Sequence, residues 1–135
     1  MSEPSARFRQ GMATRRKVLG DKHVDNAIAS TTPFNTEFQT LITESAWGNV
    51  WSRETISLRE RSMLTIALLA ALGQDDEVAM HVRATRNTGA SKEDIKEALL
   101  HVAIYAGVPA ANHAFKIAAK AYAELEAAEQ EENHA

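Results

Sequence analysis

Apolar residues recur along this chain at intervals of three and four, the spacing of helices buried on one face. No useful stretch alternates apolar and polar residues, so no sheet is predicted. Three prolines and six glycines fall mostly at plausible boundaries between the periodic segments. A first helix is expected from about Ser5 to Leu19, stopping at Gly20, and a second over about Lys22–Ala29. A third begins near Asn35 and carries Phe38, Leu41, Ile42 and Ala46 at helical spacing, and Gly48 interrupts it. Trp47 and Trp51 share a face only if that helix continues. Ser57 and Glu60 have capping-box spacing. They open a helix through Leu72 that is hydrophobic all round, which predicts burial on every side. Asp75 and Asp76 start the next, where the macrodipole favours acids; it carries Val78, His81 and Val82 and stops at Gly89. Ser91 and Asp94 cap a helix that runs to Tyr105 and stops at Gly107. Pro109 suits the first turn of a last helix to about Glu129. The expectation is an all-α, compact bundle of six to seven helices in a single domain, 1–135, frayed at 1–5 and 127–135.

Composition narrows the chemistry. A chain of 135 residues buries roughly 68% of its unfolded surface, enough for a core without staples. The net charge of −3 argues against nucleic acid as a partner. The absence of cysteine removes disulfides, thiolate nucleophiles and cysteine-ligated zinc. Met1-Ser-Glu-Pro4 lacks the basic start of a signal peptide. The longest apolar run, Met63–Leu72, is about half the roughly 20 residues of a membrane span. These features predict a cytoplasmic protein with no membrane or nucleic-acid partner.

Glu77 and His81 stand four apart on one helical face. A carboxylate beside an imidazole keeps it protonated to higher pH, which suits a proton donor near neutrality. From spacing alone an ordinary surface pair is the simpler reading. Arg61 and Arg83, with Arg59 and Arg86, offer guanidinium forks for carboxylates, or else solvated charge and ion pairs with Glu60, Asp75 and Asp76. Glu60 fits a helix cap better than a buried acid. Glu97, His101 and Tyr105 form a line at i, i+4 and i+8, a relay or a polar stripe at a helix edge. His113 is ambiguous. Trp47 and Trp51 do not form a clean amphipathic stripe, which favours a pocket wall or a subunit interface. No H-x-x-x-H or H-E-x-x-H pattern lies on any one predicted helix, so no metal is expected. No Gly-x-Ser-x-Gly elbow is present.

Five segments, in order, resemble the carboxymuconolactone decarboxylase family: Arg15–Val24, Ala46–Arg53, Arg61–Ala71, His81–Ala84 and Tyr105–Asn112. The resemblance spans about Phe8 to Tyr122. It implies an alkyl hydroperoxidase D-like all-α fold and a ring-like homo-oligomer, a trimer-based hexamer. It also implies cofactor-free decarboxylation of 4-carboxymuconolactone, a small lactone dicarboxylate, to the β-ketoadipate enol-lactone in protocatechuate catabolism. For such a reaction the residues themselves nominate His81 with Glu77 as the catalytic pair. Arg61, Arg83, Trp47, Trp51 and Tyr105 would bind substrate. Alkyl hydroperoxidase D itself carries a Cys-x-x-Cys-x-x-x-His signature with an earlier glutamate. Aligning His81 with that histidine puts Gln74 and Glu77 at the cysteines and Ser62 at the glutamate. Thiol peroxidase chemistry is therefore disfavoured. Related lactones or keto acids, and a non-catalytic helical oligomer, stay open.

Overall fold

Ser5 starts the first helix as its spacing demands: its hydroxyl accepts the Phe8 N–H at 3.0 Å and caps α1 (Ala6–Leu19). The computed structural model describes residues 3–134, with the side chain of His134 excluded. Met1, Ser2 and Ala135, within the segments expected to fray, lie outside the described residues. The described residues form seven α-helices and one π-helix, with no strand among them. They divide into two compact units, one ending at Leu58 and one beginning at Arg59.

In the first unit, α1 is followed by α2 (Asp21–Ala29) and α3 (Thr36–Ile42). The third helix does not break at Gly48. It passes into a π-helix, Thr43–Trp51, that runs straight through the glycine. Gly48 is buried because α1 lies on it: a Cβ there would sit 2.7 Å from the Arg7 carbonyl oxygen. Gly11 mirrors it from α1, with a Cβ position 2.8 Å from the Gly48 nitrogen and overlapping the Thr43 carbonyl oxygen. These glycines mark backbone contact between helices, not a helix end. The far end of the π-helix is tied by Ser52, whose hydroxyl donates to the Trp47 carbonyl at 2.7 Å. That leaves Thr14 as the donor in the 2.7 Å Thr14–Ser52 hydroxyl contact. The apolar stripe expected on α3 is not buried: Phe38 and Leu41 are both 58% exposed.

The second unit contains α4 (Leu58–Ala71) from its second residue on, α5 (Asp75–Thr88), α6 (Lys92–Tyr105) and α7 (Val108–His134). Gly89 adopts the left-handed conformation that ends α5. Its core joins Ile66, Val78, Val82, Ile95, Leu99 and Val102 to a seam of Ala111, Ala114, Ala118 and Ala121 on α7. Small side chains let α7 lie close against both α5 and α6. The expectation that α4 is buried on all sides is corrected. Ile66 and Ala70 are buried in the core of this unit, but Leu64, Leu68 and Leu72 are more than half exposed. The last helix extends past Glu129 to His134.

The capping box of α6 forms as predicted, with Asp94 in the usual Glu position. Asp94 also receives a two-pronged bond from Arg59 at 2.7 and 2.6 Å. Arg59, and after it the Ser91 N–H, hold this carboxyl well below the usual carboxylate range. A depressed carboxyl adds stability above its unfolded value of about 3.9 and loses that contribution as acid titrates it. Arg59→Ala raises the folded value, so acid unfolding should begin at a higher pH. A pH titration followed by circular dichroism tests this, and an unchanged midpoint would count against the bridge.

Candidate active site

In the second unit, α5 sets the surroundings of His81, Glu77 and Arg83. His81 is 5% exposed, on the face that also buries Val78, Val82, Thr85 and Thr88. Glu77, one turn earlier, is exposed. An exposed surface pair, the simpler reading of the spacing, does not describe a buried imidazole. Of the four histidines with described side chains, His81 alone is buried; His23, His101 and His113 are exposed. His81 is not among the residues that line the clefts walled by Leu99 and Phe115, by Arg83 and Ile117, or by Ala70 and Ala114.

The other predicted residues divide by environment. Arg83 is half-buried in a cleft between α5 and α7, with Asp75, Asp76 and Glu124 in the same lining. Arg61 is half-buried on α4. Tyr105 is 84% exposed at the end of α6 and stacks on His101, with centroids 6.0 Å apart and planes at 20°. Ser62 is fully buried and shares a 2.7 Å hydrogen bond with Thr88, a neutral hydroxyl pair at the position implied for the superfamily's glutamate. Gln74 and Glu77, at the positions of the two cysteines, are exposed. An unpredicted pair joins His113 Nε2 to Asp75 at 2.8 Å, beside a cleft walled by Ala70, Val78, Ala110 and Ala114.

In the first unit, Trp47 and Trp51 are buried on the π-helix, 6% and 8% exposed. Their rings lie 5.0 Å apart at 32°. Trp51 also lines a cleft with Thr14, Lys17 and Arg53. Sequence reasoning gave no role to Arg15, which is 7% exposed. Burial lowers its guanidinium from the ordinary value. The available signal was positional: Arg15 falls on the stripe of α1 that buries Gly11, Val18 and Leu19.

Chemically, the chain offers a dry imidazole, several guanidinium groups and no thiol. Among the described residues, no group of three His, Asp or Glu side chains is arranged to hold a metal ion.

Comparison with known proteins supplies the family. The sequence pattern of the Carboxymuconolactone decarboxylase family matches residues 36–120. A 4-carboxymuconolactone decarboxylase of Acinetobacter baylyi is 43% identical over 127 residues, covering 94% of this chain and 95% of its own. A nitrosuccinic acid decarboxylase of Metarhizium robertsii is 39% identical over 113 residues, 84% of this chain and 79% of its own. A 4-carboxymuconolactone decarboxylase of Pseudomonas putida is 49% identical over 43 residues, 32% of this chain and 90% of its own. The all-α fold, the family match and a likeness that runs almost end to end establish that this chain belongs to the carboxymuconolactone decarboxylase family.

Proposed function

We propose that this protein is a carboxy-lyase that converts 4-carboxymuconolactone to the β-ketoadipate enol-lactone in protocatechuate breakdown. The supporting observation is the 43% identity to the Acinetobacter baylyi enzyme over nearly the whole of both chains. The substrate's own chemistry makes the reaction feasible without a cofactor. As the γ-carboxylate leaves as CO2, its bonding electrons pass through the ring double bond to the lactone carbonyl. A dienolate forms, and one proton added at the ring α-carbon completes the product.

The protein then has three tasks. It holds the acetate arm, keeps the departing carboxylate away from water, and delivers the proton. His81 is the proton donor on this reading, with Glu77 one turn earlier on α5 as its catalytic partner. Its burial keeps the imidazole from bulk water, and the donor role requires that substrate reach a side chain that lines none of the clefts named above. Arg61 and Arg83 take carboxylates, a charge-assisted bond being worth roughly 1.5–3 kcal/mol. Tyr105 donates to the lactone oxygen as charge develops there. Trp47 and Trp51 supply apolar wall.

The test is loss of butenolide absorbance on adding purified protein, with one CO2 released per lactone consumed. No turnover by folded protein would sink the reading. Decarboxylation of another small diacid is the second reading, favoured by the 39% identity to the nitrosuccinic acid enzyme. Nitrosuccinate in the same assay ranks the two by kcat/KM.

The working form on this reading is a ring-like homo-oligomer, a trimer-based hexamer, in the cytoplasm. Exposed apolar stripes support assembly: Leu64 and Leu68 on α4 with Leu72 just after it, and Leu100, Ile104 and Tyr105 on α6. No helix among the described residues is long and apolar enough to cross a membrane. Leu68→Glu, at 64% exposure, should leave the chain folded but shift light-scattering mass to a smaller species. An unchanged mass would remove α4 from the interface.

A further inference from the structure

Arg15 is a buried charge that the roles above leave unexplained. Its Nη1 donates to Gln39 Oε1 at 3.2 Å and to Thr43 Oγ1 at 3.4 Å, both neutral acceptors. Among the described residues, no ion pair includes Arg15, and its Nε is buried without an acceptor. Its neighbour Arg16 shows the ordinary arrangement: it is partly exposed and paired with Asp21 at 3.1 Å and Asp25 at 2.9 Å. A guanidinium taken out of water normally has an anion beside it, because desolvating a lone charge is expensive. Both described bonds of Arg15 use one terminal nitrogen, which leaves the Nε–Nη2 edge. That edge is the fork that receives a carboxylate through two parallel bonds. Thr43 has no proton to contribute to a ligand, since its hydroxyl donates to the Gln39 carbonyl at 2.7 Å. It does begin the π-helix, a form that concentrates at functional sites.

We propose that the Nε–Nη2 edge of Arg15 binds a carboxylate of a small organic acid. The choice of ligand rests on the decarboxylase reading. Both 4-carboxymuconolactone and nitrosuccinic acid carry two carboxyl groups and keep one after CO2 departs. The group that is retained is a carboxylate of the kind the Arg15 fork fits.

The probe is succinate, a diacid with no lactone to react. In wild-type protein labelled with ¹⁵N at arginine Nε, succinate should shift the Arg15 Nε–H resonance saturably, and succinamide should not. Arg15→Lys, which keeps the charge but loses the fork, should weaken succinate about 10-fold, and Arg15→Met about 100-fold. Absence of a shift in the wild type overturns the proposal. So does equal succinate affinity in folded Arg15→Met. Should Arg15→Met fail to fold, the wild-type resonance and Arg15→Lys still decide. Succinate binding without lactone turnover would keep the Arg15 site and remove the decarboxylase reading. Turnover without the shift would do the reverse.

Discussion

Replacing His81 by glutamine should lower kcat on 4-carboxymuconolactone by about 10²- to 10⁴-fold, with little change in KM and the same assembled mass. Glutamine keeps a similar volume and an N–H donor at a buried position. It removes the one property the proposal uses, a ring nitrogen that can give up and take back a proton. A thermal melt run beside the kinetics separates lost chemistry from lost packing, since position 81 is 5% exposed. The expected split, kcat down and KM steady, belongs to a group that acts in the transition state without anchoring the substrate. Near-normal turnover in an intact assembly would show that His81 is not the donor. The assignment would then pass to His113, whose imidazole is held by Asp75 at 2.8 Å beside an open cleft. His113→Asn would be the deciding variant.

Gly11→Ala should be the most damaging single methyl in the first unit. The new carbon would overlap the Thr43 carbonyl oxygen and lie 2.8 Å from the Gly48 nitrogen. Both are backbone atoms of the π-helix, so no side-chain rotation relieves the clash, and α1 must move away. Overpacking of this kind costs about 1–3 kcal/mol and occasionally more. Alanine's better helix propensity returns at most about 1 kcal/mol. Both tryptophans of the chain lie in this unit, so their fluorescence in a urea titration follows its unfolding. A midpoint equal to or above that of the wild type would mean that the helices are not in contact through Gly11.

Helix boundaries were legible where one residue decides them. Ser5, Gly20, Gly89 and the Ser91–Asp94 box all act where their spacing placed them. Gly48 was misread because a glycine that admits another helix looks, in sequence, like a glycine that ends one. Hydrophobicity gave α4 its apolar character but not the direction of its leucines, since periodicity cannot say which side has a neighbour. The burial of His81 follows from its place beside Val78 and Val82, whereas its partner residues in a reaction do not. The Arg59–Asp94 and Asp75–His113 pairs join residues 35 and 38 positions apart, beyond any local spacing rule. Arg15 was overlooked because an arginine on an apolar stripe was read as part of a family segment and not weighed as a charge in its own right.

The nine-residue π-helix also bears on how insertions and deletions in this segment should be read. Its hydrogen bonds span one residue more than those of an α-helix. Removing a single residue would let the segment relax into ordinary α winding and rotate everything downstream, Trp51 included, about the helix axis. A one-residue gap here, in an alignment of related chains, would therefore mark a change in where the indole rings point.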